Sequence, residues 1–437
     1  MDLAGALAYL ADHVNLEADP APPAAAMRLE RIRRLVELMG DPQSDYPVIH
    51  LTGTNGKGST ARMLTALLAE RGLSVGTYTS PHLQRVNERL AWNGDPIPDD
   101  ELVEAMEVVA AIEPLLDSPP THFEILTAAA FRWFADVAVD VAVVEVGLGG
   151  RWDATNVAEA QVAAVTNVSL DHAETIGPNL PDIAREKAGI VEPASILVLG
   201  ETDHEIAAIF RAAGASQTWE RDVEFGCSSN RLAHDGRVVD LWTPGARYDD
   251  VYLPVHGAFQ GDNAAVAVAA ADAFFGAPLD PDVVTDAFAG LRLPGRLEVV
   301  ARDPLCVLDG AHNPAGARAA AEAVAETFAG VRGRILVVGF LVGRDPAEML
   351  SALDASDAYL VVACSPPSPR ALVPEAVAAA AHDLGVATEV AASVPEAVAL
   401  ALKLAAPDEM VLVTGSLYVV GAARTALTGD DLPAETL

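Results

Sequence analysis

Tyr46-Pro-Val-Ile-His-Leu-Thr-Gly-Thr-Asn-Gly-Lys-Gly-Ser-Thr60 is a short apolar run that ends in a glycine-rich turn. After it, Met63, Leu64, Leu67 and Leu68 recur at helical spacing. The order is strand, loop, helix. Glycines let such a loop turn tightly and aim backbone N–H groups at phosphate oxygens. The helix N-terminus adds the positive end of its dipole. Gly53, Thr54, Asn55, Gly56, Lys57, Gly58, Ser59 and Thr60 therefore read as a phosphate loop for ATP. Lys57 would bridge the β- and γ-phosphates, and Ser59 or Thr60 would reach Mg²⁺. The strict Walker pattern is not met, because Gly58 separates the lysine from the hydroxyl. The alternative is an ordinary glycine-rich turn.

Outward from the loop, the pattern is α/β. A helix is expected over Met27–Met39, from the spacing of Leu29, Ile32, Leu35, Val36 and Met39, and another from Thr60. Val137–Val146, Gln161–Val168 and Leu197–Leu199 read as buried strands. Alternation of such runs with helical periods indicates a parallel sheet covered on both faces. Trp219–Tyr252 reads as a small β element and Asn263–Phe275 as an alanine-rich helix. Leu293-Pro-Gly-Arg296 reads as a boundary. After it the rhythm restarts, with strands at Leu305–Leu308, Ile335–Val338, Tyr359–Ala363 and Met410–Thr414. Two domains are expected, 1–296 and 297–437.

The 437 residues carry 62 acids against 28 bases, a net charge of −34. No basic stripe marks a nucleic-acid binder. At 51% hydrophobic residues the chain is too apolar for disorder. The acids lie on both sides of the boundary, which fits a surface that stays soluble in a salt-rich cytoplasm, as in halophiles. Only three bases are lysines, Lys57, Lys187 and Lys403. Cys227, Cys306 and Cys364 form no CxxC pair and read as reduced thiols. No membrane helix or signal peptide is read, so a cytoplasmic protein without membrane partner is expected.

The chain resembles the folylpolyglutamate synthase/dihydrofolate synthase family, a branch of the Mur-type ligases. The residues that carry the resemblance are the variant loop Gly53–Thr60, Thr79-Ser-Pro-His-Leu83 and Glu145-Val-Gly-Leu-Gly-Gly-Arg-Trp-Asp-Ala-Thr-Asn156. Asp171-His172, Glu186-Lys-Ala-Gly-Ile190 and Leu308-Asp-Gly-Ala-His-Asn-Pro314 follow in the family's order. The resemblance implies a Mur-ligase-like, P-loop-containing central domain with a parallel sheet, plus a smaller Rossmann-like α/β domain. The implied enzyme phosphorylates a pterin-linked carboxylate with MgATP; a monomer is expected. The glutamate amine then attacks the acyl phosphate. Phosphoryl transfer of this kind needs charge neutralisation and alignment more than covalent help.

The resemblance also assigns residues. Ser80, Glu145 and His172 become Mg²⁺ positions beside Ser59, although histidine is an unusual ligand for a hard cation. Lys187 becomes a carbamate that supplies an anionic oxygen ligand; arginine could not be modified in this way. Lys57, Lys187 and His172 form the implied catalytic set. Asn263, Arg296, Asp309 and His312 would contact nucleotide. Thr121, His122, Phe123, Glu124, Trp152, Asp153 and Ala154 align with segments that contact dihydropteroate. Read without the resemblance, His172 is equally a solvated loop residue and Lys187 a surface helix lysine paired with Glu186. Asn263 is equally a helix cap, Asp309 a turn residue and Phe123 core. Arg85 and Arg89 face either anionic substrate or plain solvent. Where the family commonly has an Asp-Lys pair, this chain has Val342-Gly-Arg-Asp345. Two rivals remain at this level: another Mur-type amino-acid ligase, and a P-loop ATPase switch without ligase activity.

Overall fold

The computed structural model describes residues 1–15, 17, 28–172 and 174–429. The chain divides into two compact units. One comprises Met1–Pro81, Val86–Pro254 and Gln260–Leu291; the other comprises His82–Arg85, Val255–Phe259 and Arg292–Leu437.

The first unit is built on eight strands: β1 (Val48–Thr52), β2 (Val75–Tyr78), β3 (Leu90–Trp92), β4 (Asp95–Pro96), β5 (Val141–Glu145), β6 (Ala160–Val165), β7 (Ile196–Leu199) and β8 (Gln217–Glu220). Their order is β4-β3-β2-β5-β1-β6-β7-β8. All pairings from β2 to β8 are parallel, and β3 and β4 form an antiparallel edge. Strand β1 is central and buried along its whole length. That is why it reads as a continuous apolar run rather than an alternating one.

The helices of this unit are α1 (Leu3–Ala11), α2 (Leu29–Leu38), α3 (Lys57–Glu70), α4 (Asp99–Ile112), α5 (His122–Asp136), α6 (Leu180–Lys187), α7 (His204–Arg211), α8 (Phe259–Phe275) and α9 (Pro281–Ala289). Ile32 and Leu35 of α2, Met106 of α4 and Phe131 of α5 share one core with Val48, Ala142 and Val144. Helix α3 packs against β1, β2 and β5. A second core under α6 and α7 gathers Ala163, Val165, Ile190 and Phe210. Three further strands, β9 (Gly226–Ala233), β10 (Gly236–Trp242) and β11 (Arg247–Leu253), form a separate antiparallel sheet. Asp272 of α8 ties it down by accepting from Thr243 Oγ1 at 2.7 Å, Tyr248 Oη at 3.1 Å and Leu279 N at 2.8 Å.

The second unit holds β12 (Glu298–Arg302), β13 (Leu305–Leu308), β14 (Arg334–Val338), β15 (Leu360–Cys364), β16 (Ala387–Ala391) and β17 (Met410–Thr414), in the order β12-β13-β17-β14-β15-β16. Only β12 runs antiparallel to its neighbour. Helices α10 (Pro314–Thr327), α11 (Pro346–Ala352), α12 (Pro374–Asp383), α13 (Val394–Leu404) and α14 (Leu417–Thr428) flank it.

Several boundaries differ from the sequence reading. Met27 lies outside the described residues. Helix α3 starts at Lys57, not Thr60, because Gly56 takes a left-handed conformation with φ +86° and the chain turns directly into the helix. The run Val137–Val146 yields a strand only from Val141. Helix α5 continues to Asp136, and the chain turns at Ala138 with φ +53°. The run Gln161–Val168 leaves the sheet after Val165. Trp219 belongs to β8 at the edge of the main sheet, so the small β element starts at Gly226. All three cysteines are free. Among the described residues no helix is long and apolar enough to cross a membrane.

Candidate active site

The site grows from the carboxyl end of β1. Gly53, Thr54, Asn55 and Gly56 link it to α3, whose first turn carries Lys57, Gly58, Ser59 and Thr60. No side chain caps this helix. Its first-turn amides are therefore the donors that an anion would take. A Cβ on Gly56 would collide with Asn263 Oδ1, so the loop passes directly against α8. Asn263 lies inside that helix and is not its cap; its Nδ2 donates to Gln260 Oε1 at 2.9 Å.

The segment leaving β6 holds the loop from its other side. Thr54 N donates to Asn167 O at 2.9 Å and Asn55 N to Asn167 Oδ1 at 3.1 Å. In return Asn167 Nδ2 and Thr166 Oγ1 donate to Asn55 O at 2.9 and 2.7 Å. Ser169 N donates to Thr54 Oγ1 at 3.0 Å. Sequence reasoning missed these braces by counting Thr166–Val168 as strand. The signal was there: Thr-Asn-Val-Ser is a polar interruption directly after a buried strand.

Two lysines meet at the loop. Lys57 Nζ donates to Gly53 O at 3.2 Å and to Thr54 O at 3.4 Å. Lys187 Nζ, from the last turn of α6, donates to the same Gly53 O at 2.7 Å. Lys187 is 4% exposed, so it is not a surface lysine. Burial, reinforced by the positive charge of Lys57, pulls its ammonium down to about 7; Asp171, Glu186 and Asp153 act the other way. The amine therefore loses its proton more readily than an ordinary lysine and is the more nucleophilic for it.

Glu145 ends β5 and is 3% exposed. Its Oε2 accepts from Ser80 N at 3.2 Å, and a Cβ on Gly58 would stand 3.4 Å from the same oxygen. A carboxylate thus faces the start of α3 beside Ser80. Thr60 Oγ1 is buried there without a partner among the described residues. His172 has φ +50° and is 43% exposed; its Nε2 lies 3.8 Å from Asp171 Oδ1. Among the described residues no three His, Cys, Asp or Glu side chains are grouped to hold a metal ion. One carboxylate with hydroxyls nearby suits Mg²⁺, which keeps waters and phosphate oxygens as ligands.

Phe123 of α5 packs on this end of the sheet, tilted against Tyr78 at 5.9 Å between centroids. A Cβ on Gly147 would stand 2.5 Å from Phe123 Cζ, so only glycine lets the turn after β5 pass the ring. Trp152 is 47% exposed and Ala154 is buried. Asp153 is buried and accepts from Leu148 N at 2.8 Å and Thr155 N at 3.0 Å. Thr121 and Glu124 are occupied in a reciprocal cap of α5, and Arg31 Nε donates to Glu124 Oε2 at 2.6 Å. His122 is held neutral by burial, which lowers it to about 4. Arg89 is fully buried and forks onto Glu17 at 2.8 and 2.6 Å, so it is not the solvated arginine of the sequence reading.

In the second unit Asp309 follows β13. Its oxygens accept from Leu297 N at 3.0 Å and Ala311 N at 2.9 Å. Burial raises its pKa, opposed by Arg296 and these two amides. His312 Nδ1 lies 2.9 Å from Gly310 O. Asp345 of the departing Val342–Asp345 stretch caps α11 by accepting from Ala347 N at 2.8 Å. Arg85 belongs to this unit.

Residues 51–271 match the Mur ligase middle domain, and residues 295–417 match the Mur ligase, glutamate ligase domain. The dihydrofolate synthase/folylpolyglutamate synthase of Mycobacterium tuberculosis is 39% identical over 442 residues, covering 92% of this chain and 90% of that protein. The structure of Mycobacterium tuberculosis folylpolyglutamate synthase complexed with ADP and AMPPCP gives a TM-score of 0.90 at 39% identity, covering 99% of this chain and 100% of that one. The bifunctional folylpolyglutamate synthase/dihydrofolate synthase of Yersinia pestis, complexed with AMPPNP and a Mn ion, gives 0.82 at 31% identity, covering 98% of each chain.

The braces on the loop make a prediction. Asn167→Ala removes both side-chain bonds to Asn55 and is expected to weaken ATP binding about tenfold. Titration with a fluorescent ATP analogue reads this; unchanged affinity would remove Asn167 from that role.

Proposed function

The chain belongs to the Mur ligase family, among the folylpolyglutamate and dihydrofolate synthases, and on that premise we propose the following account of its reaction. It is an ATP-dependent ligase that joins L-glutamate to a folate-type carboxylate through an acyl phosphate. The observation that carries the reading is the loop Gly53–Thr60 between β1 and α3, with Lys57 and buried Lys187 both on the Gly53 carbonyl.

A carboxylate is a poor electrophile. Transfer of the γ-phosphoryl group of ATP gives it a leaving group, and the glutamate amine displaces phosphate to form the amide. The chain's part is alignment and charge stabilisation. The first-turn amides of α3 receive phosphate oxygens. Lys57 exchanges its two carbonyl partners for the β- and γ-phosphates. Asn263, against Gly56, borders the nucleotide; Arg296, Asp309 and His312 are nucleotide contacts of the second unit. The enzyme uses a divalent cation, which we assign as Mg²⁺. Glu145, Ser80, Ser59, His172 and the carbamate of Lys187 would hold it, and it would neutralise charge on the transferred group. Phe123 and the Trp152–Ala154 segment face the pterin. Thr121, His122 and Glu124 serve mainly by fixing the start of α5 that carries Phe123.

Carbamylation of Lys187 is supported by its burial and its partly neutral amine. ¹³C-bicarbonate is expected to give a carbamate resonance in the protein and none in Lys187→Arg; equal spectra would exclude the modification. The protein is read as a cytoplasmic monomer, and its −34 charge supports adaptation to salt. Its thermal midpoint is expected to rise with KCl; higher stability after dialysis into low salt would contradict this.

The function is tested by glutamate-dependent ADP release in concentrated KCl with Mg²⁺, with dihydropteroate and tetrahydrofolate offered separately. Release with one, the other or both defines the acceptor. Lys57→Ala should lower turnover by about 10²–10³-fold. No release with either acceptor from folded protein would remove the folate assignment.

A further inference from the structure

His50 sits in the middle of β1, paired beside Val144 of β5 and Ala163 of β6, with no solvent exposure. Its strand neighbours Val48, Ile49 and Leu51 are aliphatic, and an aliphatic side chain would fill the same space. Burial lowers the imidazole to about 3, so it is neutral and carries one N–H.

The hydrogen bonds decide which nitrogen holds it. Thr155 Oγ1 donates its single hydrogen to Asp153 Oδ1 at 2.5 Å. The same hydroxyl lies 2.8 Å from His50 Nε2, so there it must accept. The proton is therefore on Nε2, and Nδ1 is a bare acceptor. Nδ1 is indeed buried without a partner among the described residues. An orphaned acceptor in the core is unfavourable. It is retained with the one tautomer that can donate to Thr155.

The chain of bonds ends on a loop. Asp153 Oδ2 accepts from Leu148 N at 2.8 Å, and Gly147 also donates a backbone bond to this carboxylate. Gly147–Gly150 is the turn that leaves Glu145. It runs between Phe123, against Gly147, and the backbone oxygens of Glu186 and Lys187, against Gly150. Arg151 N donates to Glu186 O at 2.9 Å. Thr52 Oγ1 holds the turn a second time through Gly149 O at 2.8 Å.

We propose that His50 is a positioning residue which, through Thr155 and Asp153, sets the Gly147–Gly150 turn for the flat pterin ring of the acceptor. The inference rests on the folate reading above and assigns the acceptor side of that site. The phosphate loop is braced separately, by Thr166, Asn167 and Ser169. Loss of the relay should therefore reach acceptor binding and leave nucleotide binding in place.

The test uses the full chain in concentrated KCl, with KM for acceptor and for ATP, the thermal midpoint, and amide exchange of the turn. His50→Leu and Thr155→Val should each raise the acceptor KM about tenfold, with the ATP KM within about twofold. His50→Gln, whose amide can place an N–H near Nε2, and Thr155→Ser should return it to within about threefold of wild type. His50→Leu should melt no lower than wild type, since the orphaned Nδ1 is gone; a purely structural histidine would not dissociate stability from KM. Leu148 and Gly147 amides should exchange faster in Thr155→Val. That readout stands even if wild type shows no acceptor-dependent ADP release, an outcome that would sink the ligase reading alone. Unchanged exchange in Thr155→Val overturns the relay. So does an acceptor KM that stays put, or one that rises together with that for ATP.

Discussion

One carbonyl oxygen, that of Gly53, accepts from two lysines. Ammonium groups that share an acceptor repel each other, and the interior gives little screening. Burial pulls the Lys187 ammonium down first, and the nearby charge of Lys57 lowers it further. This also explains which lysines the chain retains. Arginine cannot be deprotonated in a protein and does not react with CO₂ as an amine does. At position 187 it would bury a permanent charge beside Lys57. A chain that otherwise prefers arginine keeps lysine at both positions.

Several elements converge around that carbonyl. Strand β1 delivers it from the centre of the sheet, and Gly56 turns the chain into α3. The segment after β6 grips Thr54 and Asn55. The end of α6 brings Lys187. The turn after β5 lies against the backbone of Glu186 and Lys187 and carries Glu145 at its start. Neighbouring strand ends thus supply the glycine-rich loop and the carboxylate, and a helix end supplies the amine. The carboxyl edge of a parallel sheet is where α/β proteins bind ligands.

The α/β class, the loop and the restart after Leu293 were legible because buried parallel strands leave uninterrupted apolar runs. Strand ends were less legible. Val137 and Val168 are apolar residues outside the strands, and hydrophobicity alone does not say where a run leaves the sheet. Partners distant in sequence were not legible at all. Arg89 is matched by Glu17, 72 positions away, and Glu124 is shared between its own helix cap and Arg31. Nor does the sequence show that the oxygens of Asp309 take the backbone amides of Ala311 and of Leu297, twelve positions away. His50 passed as part of a strand, since nothing in the five residues of β1 announces a hydrogen bond to Thr155. The phosphate loop was readable because its chemistry is local; the relay was not, because it is assembled by the fold.

The central claim is that this site activates a carboxylate by phosphorylation rather than merely hydrolysing ATP. It is tested most directly with an acceptor whose reactive carboxylate carries ¹⁸O, followed by ³¹P NMR of the phosphate released. The account predicts that one labelled oxygen passes into each phosphate formed, because the bond broken by the glutamate amine joins the acyl carbon to that oxygen. Unlabelled phosphate, released while amide is formed, would contradict an acyl phosphate and the account with it.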